Sequence, residues 1–326
     1  MNICSTSNQG CIERINEKLS QFLIILIPLS FFVGHSLRGW GLKHKWTAYP
    51  VLFSIMFASS YGLKIKNFLE VKNYKKSFLV SLFAQLFILP ITSIIVTSLF
   101  YKSRFNFTYG HYALALAPSA ISTIIWSRIS NGNIPLATTL VGAHAIIVPY
   151  FTPIALKILT GKTLKFSAQK LFLDLFVTVF APTVLAILTY NPKVEVKTKS
   201  VFGVWSKIGL LYMIILNTAI AFDVVPINLT LLKVFLVTGI LIMLAFFVGY
   251  LIGKILKLDE PSKITITYYM GMKNNGAGFV IIFAGFPHEA IFPLAAAMMW
   301  QQPLASIINA LKGKNEKGSI NSCNRR

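Results

Sequence analysis

The chain is a succession of long apolar stretches separated by short polar ones. Ten stretches can be drawn, each ending at glycine, proline, asparagine or charged residues. Their approximate bounds are 18–37, 47–63, 76–101, 109–130, 133–158, 166–190, 202–222, 230–256, 261–286 and 288–311. A helix of about 20 apolar residues crosses a hydrocarbon core of about 30 Å. The pattern therefore predicts about ten membrane spans.

The spans are predicted to be helices. Only helices and closed barrels satisfy the backbone in lipid, and barrel strands alternate polar with apolar residues. Stretches such as 79–99 and 234–256 are apolar on all sides. We therefore expect an all-α membrane protein with ten transmembrane helices.

Composition agrees with this fold class. Hydrophobic residues make up 55% of the 326 residues and charged residues 13%, whereas soluble domains carry about 25% charged residues. The net charge of +21 comes largely from lysines grouped between the apolar stretches, as in membrane proteins, and we expect no nucleic-acid partner. Cys4, Cys11 and Cys323 lie near the two ends and predict neither a disulfide framework nor a metal site.

Basic residues predict the orientation. If the amino terminus is cytoplasmic, the inner loops and tails carry about 20 basic residues and the outer loops about 10. An even number of spans then leaves both termini in the cytoplasm. The first span lacks a convincing small-residue cleavage site, so we interpret it as retained and not as a signal peptide. We expect a multi-pass protein of the cell (inner) membrane.

Two predicted spans are interrupted in the middle. The fourth carries proline and small hydroxyl residues at 115–123, and the ninth carries a polar, glycine-rich segment at 269–278. Both are the fourth span of a five-span half, 18–158 or 166–311, with polar cytoplasmic tails at 1–17 and 312–326. Interrupted spans at matching positions are typical of transporters built from inverted repeats, with the site near the midplane. The sequence therefore predicts a secondary transporter in which spans four and nine cross.

Short motifs in these spans resemble the bile acid:sodium symporter family. Residues 271–274 (Gly-Met-Lys-Asn) are similar to the family's Glu-x-Gly-Met-Gln-Asn element in span nine. Residues 84–90 resemble its Ala-Gln-x-x-x-Met-Pro segment in span three, and 117–153 resemble its fourth and fifth spans. The resemblance covers about residues 20–312. It implies two inverted repeats, with a core domain of spans 3–5 and 8–10 moving by alternating access against a panel domain of spans 1, 2, 6 and 7. It also implies small organic anions as substrates, usually driven by sodium.

The resemblance also shows which sodium ligands are missing. The family's glutamate in span nine falls at Tyr269 and its glutamine at Lys273. The serine and threonine ligands of span five fall at Ala137 and Val141. Sodium prefers several hard oxygen ligands with a carboxylate nearby, so we expect no cofactor and doubt sodium coupling. Met272 belongs to the same element as Lys273.

Two of the family's polar side chains persist. Gln85 is retained, and Thr123 keeps a hydroxyl where the family has the serine of a Ser-Asn pair; the asparagine falls at Ile124.

Lys273 is the central candidate. Lysine at mid-span costs roughly 2.5–3.5 kcal/mol if it faces lipid, so it must face protein or a wet cavity. Its charge could organise Gln85, Asn274 and backbone carbonyls of the crossing as a sodium ion would. That reading predicts uniport, or proton coupling if the lysine loses its proton at some stage. Direct binding of the anion, or a structural lysine paired with a carboxylate, remain open.

The substrate candidates lie beside Lys273 and opposite it. Asn274 and Asn275 carry amides that can donate to a carboxylate, and Gly276 permits close approach. Thr123 and Ser119 could serve from span four. The alternative is that these polar groups only satisfy the backbone of broken helices.

Two titratable residues inside spans could relay protons. His144 lies in span five, although a satisfied core histidine is the more ordinary interpretation. Asp174 lies in span six, near the predicted start of the helix, and could also pair with Lys273. Other functions stay open: a sodium- or proton-coupled symporter, an arsenite-type permease, or a non-transporting sensor or enzyme. An arsenite-type permease would use a cysteine in span four, and no span here contains cysteine. No catalytic motif indicates an enzyme, and a monomer or homodimer is expected.

Overall fold

A computed structural model describes residues 5–63, 70–101, 106–161 and 166–323. Over these residues the chain is helical, and its one β-type pairing is a single bridge between Ser119 and Lys273. The predicted all-α class is confirmed for this part of the chain. The extreme ends of the predicted tails, 1–4 and 324–326, and the predicted loop positions 64–69, 102–104 and 162 lie outside the described residues.

The main helices follow the predicted apolar stretches. They are α1 (Ser5–Ser36), α2 (Ala48–Ser60), α3 (Glu70–Phe100), α4 (Asn106–Leu116), α5 (Ser122–Ile129), α6 (Ile134–Thr160), α7 (Ala168–Leu188), α8 (Glu195–Val224), α9 (Leu229–Ile255), α10 (Glu260–Gly271), α11 (Asn275–Phe283) and α12 (Ile291–Cys323). Most of the predicted tails, 1–17 and 312–326, continues α1 and α12 as helix.

By length and apolar composition, six helices of the described residues are able to cross a membrane: α3, α6, α7, α9, most of α8 and the first part of α12. A bent pair within α1, 12–20 and 25–36, raises the number to seven if it is one span. α2 has 13 residues, and the pairs α4–α5 and α10–α11 are broken, so none of these helices reaches spanning length alone. The chain is a multi-pass membrane protein, and the count of ten remains a prediction.

The helices pack in two groups. In the first, α8 lies against α1 and α2, and α2 lies against α7. In the second, α9 lies against α10 and α12, and α4 contacts α3, α11 and α12. The groups meet where α6 packs on α7 and α8 packs on α12. This division places the helices of predicted spans 1, 2, 6 and 7 together, and both broken pairs belong to the other group.

Side-chain caps set several helix starts. Asn133, Ser167, Asn228 and Asp259 precede α6, α7, α9 and α10, and each accepts a hydrogen bond from a backbone N–H in the first turn. Such caps satisfy donors that an α-helix leaves free at its start. Large apolar side chains, among them Leu99 of α3, stay exposed on the outer faces of the helices, as lipid contact requires.

Two helices contain a π-helical turn that a proline explains. The turn at Ala84–Ile88 in α3 precedes Pro90, and the turn at Phe176–Phe180 in α7 precedes Pro182. Proline cannot donate to the carbonyl four residues earlier, so each helix widens locally there. Gln85 is thereby held on an irregular turn.

Candidate functional site

The two broken helices meet through their breaks. Helix α4 ends at Leu116 and α5 begins at Ser122, while α10 ends at Gly271 and α11 begins at Asn275. The extended connections run antiparallel, with Ser119 opposite Lys273. Ala120 N donates to Met272 O at 3.0 Å, and Asn274 N donates to Pro118 O at 2.8 Å. Each break thus supplies hydrogen-bond partners that the other helix lost.

Lys273 is buried at this crossing. Its side chain is 2% exposed, and Nζ donates to the carbonyl oxygens of Ala115 at 2.8 Å and Ala117 at 3.1 Å. These carbonyls belong to the last turn of α4 and the residue just beyond it, where a helix presents free acceptors and partial negative charge. The ammonium group therefore caps the carboxyl-terminal end of a half-helix inside the protein.

Ser119 links the crossing to α6. Its backbone N–H donates to His144 Nδ1 at 3.0 Å, and its hydroxyl lies 3.1 Å from the same nitrogen and 3.1 Å from Tyr269 O, to which it donates. An Nδ1 that accepts from a backbone N–H carries no proton, so His144 is a neutral imidazole with its proton on Nε2. The ring is buried and lies 5.9 Å from the Tyr269 ring.

The asparagines after Lys273 have different surroundings. Asn274 is half-buried; its Oδ1 accepts from Ala277 N at 3.2 Å, which caps α11, and its Nδ2 lies 2.9 Å from the sulfur of Met56. Asn275 is buried, and its amide lies 3.3 Å from that of Gln301 on α12. Met56 belongs to α2, so Asn274 joins the two helix groups.

Gly276 lies close to two helices of the first group, α2 and α8. A Cβ at this position would come 2.9 Å from Leu52 on α2 and 3.8 Å from Met213 on α8. The start of α11 is therefore covered by apolar side chains of the other group. A larger residue would have to displace the end of the Leu52 side chain.

Four candidate residues keep buried polar atoms without a hydrogen-bond partner among the described residues. They are both amide atoms of Gln85, the hydroxyls of Thr123 and Tyr269, and Oδ1 of Asn275. The expected contact between Lys273 and Gln85 is thus not formed, because the ammonium group points to the end of α4. Unpartnered polar groups in a protein interior are uncommon and call for a ligand, a water molecule or a second conformation.

Asp174 lies away from Lys273. Its carboxylate accepts from the Tyr49 hydroxyl at 3.4 Å, between α7 and α2, and it is only half-buried. The pairing with Lys273 that the sequence allowed is not present. No group of three or more histidine, cysteine, aspartate or glutamate residues suited to a metal ion occurs in the described part of the chain.

Gln301 and Met56 both touch the crossing and were not predicted from the sequence. A signal for Gln301 was available, because Gln301-Gln302 is the polar pair in the middle of the last apolar stretch, 288–311. Met56 carried no signal, since a methionine in an apolar helix looks like any other packing residue.

Comparison with known proteins identifies the family. The profile of the Sodium Bile acid symporter family matches residues 49–226, more than half of the chain. Protein YbaS of Bacillus subtilis is 23% identical over 297 residues, which cover 90% of this chain and 97% of that protein. The sodium-dependent transporter YocS of the same organism is 21% identical over 309 residues, covering 90% and 95% of the two chains.

A plant relative matches a similar share of this chain. The probable sodium/metabolite cotransporter BASS1 of Arabidopsis thaliana, a chloroplast protein, is 23% identical over 303 residues, covering 91% of this chain and 74% of that one. The matches span both helix groups and both broken helices. The chain therefore belongs to the sodium bile acid symporter family, and it is a membrane transporter protein and not an enzyme.

Proposed function

We propose that this protein carries small organic anions by alternating access without sodium, and that Lys273 stands where relatives hold a sodium ion. The observation that supports this most directly is the pair of hydrogen bonds from Lys273 Nζ to Ala115 O at 2.8 Å and Ala117 O at 3.1 Å. A cation at the negative end of a helix is stabilised by the helix dipole and by free carbonyl oxygens. A tethered ammonium meets that need without an ion from solution.

The surrounding residues fit an ammonium ion better than a sodium ion. Sodium takes several oxygen ligands, and the position that the resemblance gives to a carboxylate is Tyr269, a neutral phenol. The carbonyls of Ala115 and Ala117 already receive the ammonium group. A sodium ion at these oxygens would have to displace a covalently attached charge. Among the described residues, no carboxylate is paired with Lys273, which speaks against a lysine held by a salt bridge.

The half-helices also support an anionic substrate. The amino-terminal ends of α5 and α11 both start at the crossing, and such ends attract anions. Thr123 in the first turn of α5 has a buried hydroxyl without a partner among the described residues. Asn274 Nδ2 is bonded to the Met56 sulfur, which is a weak acceptor. A substrate carboxylate is a stronger acceptor and would take over this donor, with Asn275, Ser119 and Gly276 completing the site.

Alternating access needs two bodies around the site. The helix groups meet at the start of α11, where Met56 and Leu52 of α2 and Met213 of α8 approach Asn274 and Gly276. We propose that the first group is the panel domain and the second the core domain. In this proposal the broken pairs are the fourth and ninth of ten spans in two inverted repeats, with both termini cytoplasmic and the protein in the cell membrane.

The relative YocS is named as sodium-dependent, so sodium coupling is the competing function and can be tested directly. The melting temperature of purified protein is measured in sodium, potassium and choline chloride. We expect no sodium-specific rise, because a ligand raises the melting temperature only if it binds the folded state. A sodium-specific rise of the melting temperature in the wild-type protein would show that it binds sodium and would contradict the proposal.

The variant Lys273→Gln completes this test. Removal of the ammonium group leaves two buried carbonyls unpaired, so the melting temperature should fall by the equivalent of roughly 1–3 kcal/mol per lost charged hydrogen bond. Sodium should then raise the melting temperature of the variant part of the way back, by binding to the carbonyl oxygens of Ala115 and Ala117. Lys170→Gln, on the exposed start of α7, is the control and should behave as the wild-type protein does. If Lys273→Gln is as stable as wild type and ignores sodium, the ammonium group does not replace an ion.

A further inference from the structure

The crossing has two outer edges, and each must be satisfied. In an antiparallel pair of this type, Ser119 and Lys273 face each other without exchanging hydrogen bonds, and the bonds run through their neighbours. The backbone N–H and C=O of Ser119 and Lys273 then point away from the pair. In a sheet these groups would meet a third and a fourth strand, but here they are buried in a helical membrane protein. Unpaired, each would cost several kcal/mol.

Gln301 occupies the edge beside Lys273. The orientation of its amide that satisfies both backbone groups places its oxygen 3.1 Å from Lys273 N and its nitrogen 3.3 Å from Lys273 O. The amide of a glutamine has the same donor and acceptor as a peptide unit, so it replaces a neighbouring strand. Gln301 is 3% exposed and lies in the middle of the last predicted span. A buried amide at such a depth has no solvent alternative to this pairing.

His144 occupies the edge beside Ser119. Its Nδ1 accepts from Ser119 N at 3.0 Å, so the orphan donor of that connection is also satisfied by a side chain. His144 comes from α6, the helix that follows the first broken pair, and Gln301 comes from α12, the helix that follows the second. Side chains from equivalent helices of the two proposed repeats therefore bond to the two edges, to both backbone groups of Lys273 and to the N–H of Ser119.

We propose that Gln301 and His144 are paired positioning residues that hold the crossing from its two outer edges and thereby aim Lys273 at the end of α4. Lys273 reaches the carbonyls of Ala115 and Ala117 only while its own backbone stays extended beside Ser119. Gln301 bonds to that backbone on both sides of the Cα from which the side chain departs. His144 holds the opposite connection in register. The inference rests on the proposed role of Lys273, but not on which ion or substrate is carried.

Acylation of lysine by acetic anhydride, read by peptide mass spectrometry on the folded protein, tests the proposal. Lys273 should be almost unreactive in the wild-type protein. In Gln301→Met, which keeps the length of the side chain and loses both hydrogen bonds, the labelling rate of Lys273 should rise at least about tenfold. Lys207, half-buried on α8 and bonded to Asn16, reports general loosening and should not change.

The neighbouring glutamine is the matched control. Gln302 accepts from Trp126 Nε1 at 2.9 Å, so Gln302→Met should leave Lys273 labelling at the wild-type rate. On the other edge, His144→Leu should raise labelling of Lys273, and His144→Asn, whose Oδ1 can replace Nδ1 as the acceptor, should restore protection.

Labelling of Lys273 at the wild-type rate in folded Gln301→Met would overturn the proposal, as would an equal rise at Lys273 and Lys207. If Gln301→Met does not fold, Gln301→Glu keeps one acceptor for Lys273 N and should give an intermediate rate; the wild-type rate there would overturn the proposal too. The labelling reaction contains no sodium and no substrate. A sodium-specific rise of the wild-type melting temperature would therefore refute the replacement of an ion by Lys273, but it would not change the labelling result.

Discussion

At the scale of single residues, Lys273 shows which groups stabilise a charge that is buried in a membrane protein. Its ammonium group cannot reach water, so the carbonyls of Ala115 and Ala117 take the place of the hydration shell. A residue that would be costly against lipid becomes a fixed positive charge where a broken helix leaves partial negative charge. The same position in a continuous helix would have no such acceptors, because its carbonyls would be bonded within the helix.

Met56 gives a prediction about the substrate at this scale. Met56→Leu keeps an apolar side chain of similar volume and removes the sulfur that accepts from Asn274 Nδ2. The donor is then free, so small carboxylates should bind about threefold more tightly, since the lost contact is worth less than an ordinary hydrogen bond. Thermal-shift titration with 3-methyl-2-oxobutanoate, and with isobutanol as the uncharged comparison, measures this change.

Met213→Leu is the control for Met56→Leu. Met213 of α8 also lies near Gly276, but its sulfur is not the group bonded to Asn274. Affinity that falls in Met56→Leu, or rises equally in both variants, would show that the sulfur does not compete with substrate. If no carboxylate shifts the wild-type protein or either variant, the organic-anion function itself is wrong.

At the scale of elements, the broken pairs leave two carboxyl-terminal helix ends in the protein interior. The end of α4 receives the Lys273 ammonium group, and the end of α10 receives the hydroxyl of Ser119 at Tyr269 O. The two breaks are thus alike in backbone geometry and different in charge. That difference follows from one residue in each connection, Ser119 in the first and Lys273 in the second.

The close contact between α9 and α10 gives a prediction about stability. A Cβ added at Gly249 would lie 2.7 Å from Ile266 O and 2.8 Å from Thr267 Cα, which are backbone atoms of α10. Gly249→Ala should therefore separate the two helices and destabilise the protein by about 1–3 kcal/mol. The melting temperature in detergent measures the loss.

Gly209→Ala is the matched control for this packing. Its added Cβ would approach only side-chain atoms of α2, those of Ile55 at 2.5 and 2.6 Å and of Val51 at 3.9 Å. A side chain can rotate away where a backbone cannot. We expect a smaller loss than in Gly249→Ala. Equal losses would mean that helix separation is not what limits substitution at Gly249.

At the scale of the whole molecule, charge predicts the orientation. The three cysteines of the chain, Cys4, Cys11 and Cys323, lie at its two ends. With both termini cytoplasmic, a membrane-impermeant maleimide should label the wild-type protein in inside-out vesicles and leave it unlabelled in intact spheroplasts. Cys323→Ser, and the double variant Cys4→Ser with Cys11→Ser, assign the signal to each end. If only one end is labelled in intact spheroplasts, the number of spans must be odd, which would contradict the ten-span architecture.

The sequence by itself determined the class of molecule and the location of its unusual segments. Stretches that are apolar on all sides admit only helices in a membrane, because the backbone must be hydrogen-bonded there and the strands of a closed barrel would alternate polar with apolar residues. Residues 115–123 and 269–278 were identified from their own composition, and the helices do break within them. Lys273 was recognised for the same reason, since the cost of a buried charge does not depend on knowing its partner.

Only the tertiary structure decided which groups meet at the crossing. A lysine has a flexible four-carbon stem, so the sequence could not distinguish Gln85, Asn274 or Asp174 from the carbonyls that Lys273 reaches. Gln301 and His144 come from helices that follow the broken pairs, and their hydrogen bonds depend on how those helices pack. A long apolar stretch specifies that a segment lies in the membrane. It does not specify the neighbour, because in lipid many helix faces are equally apolar and close packing with polar contacts makes the choice.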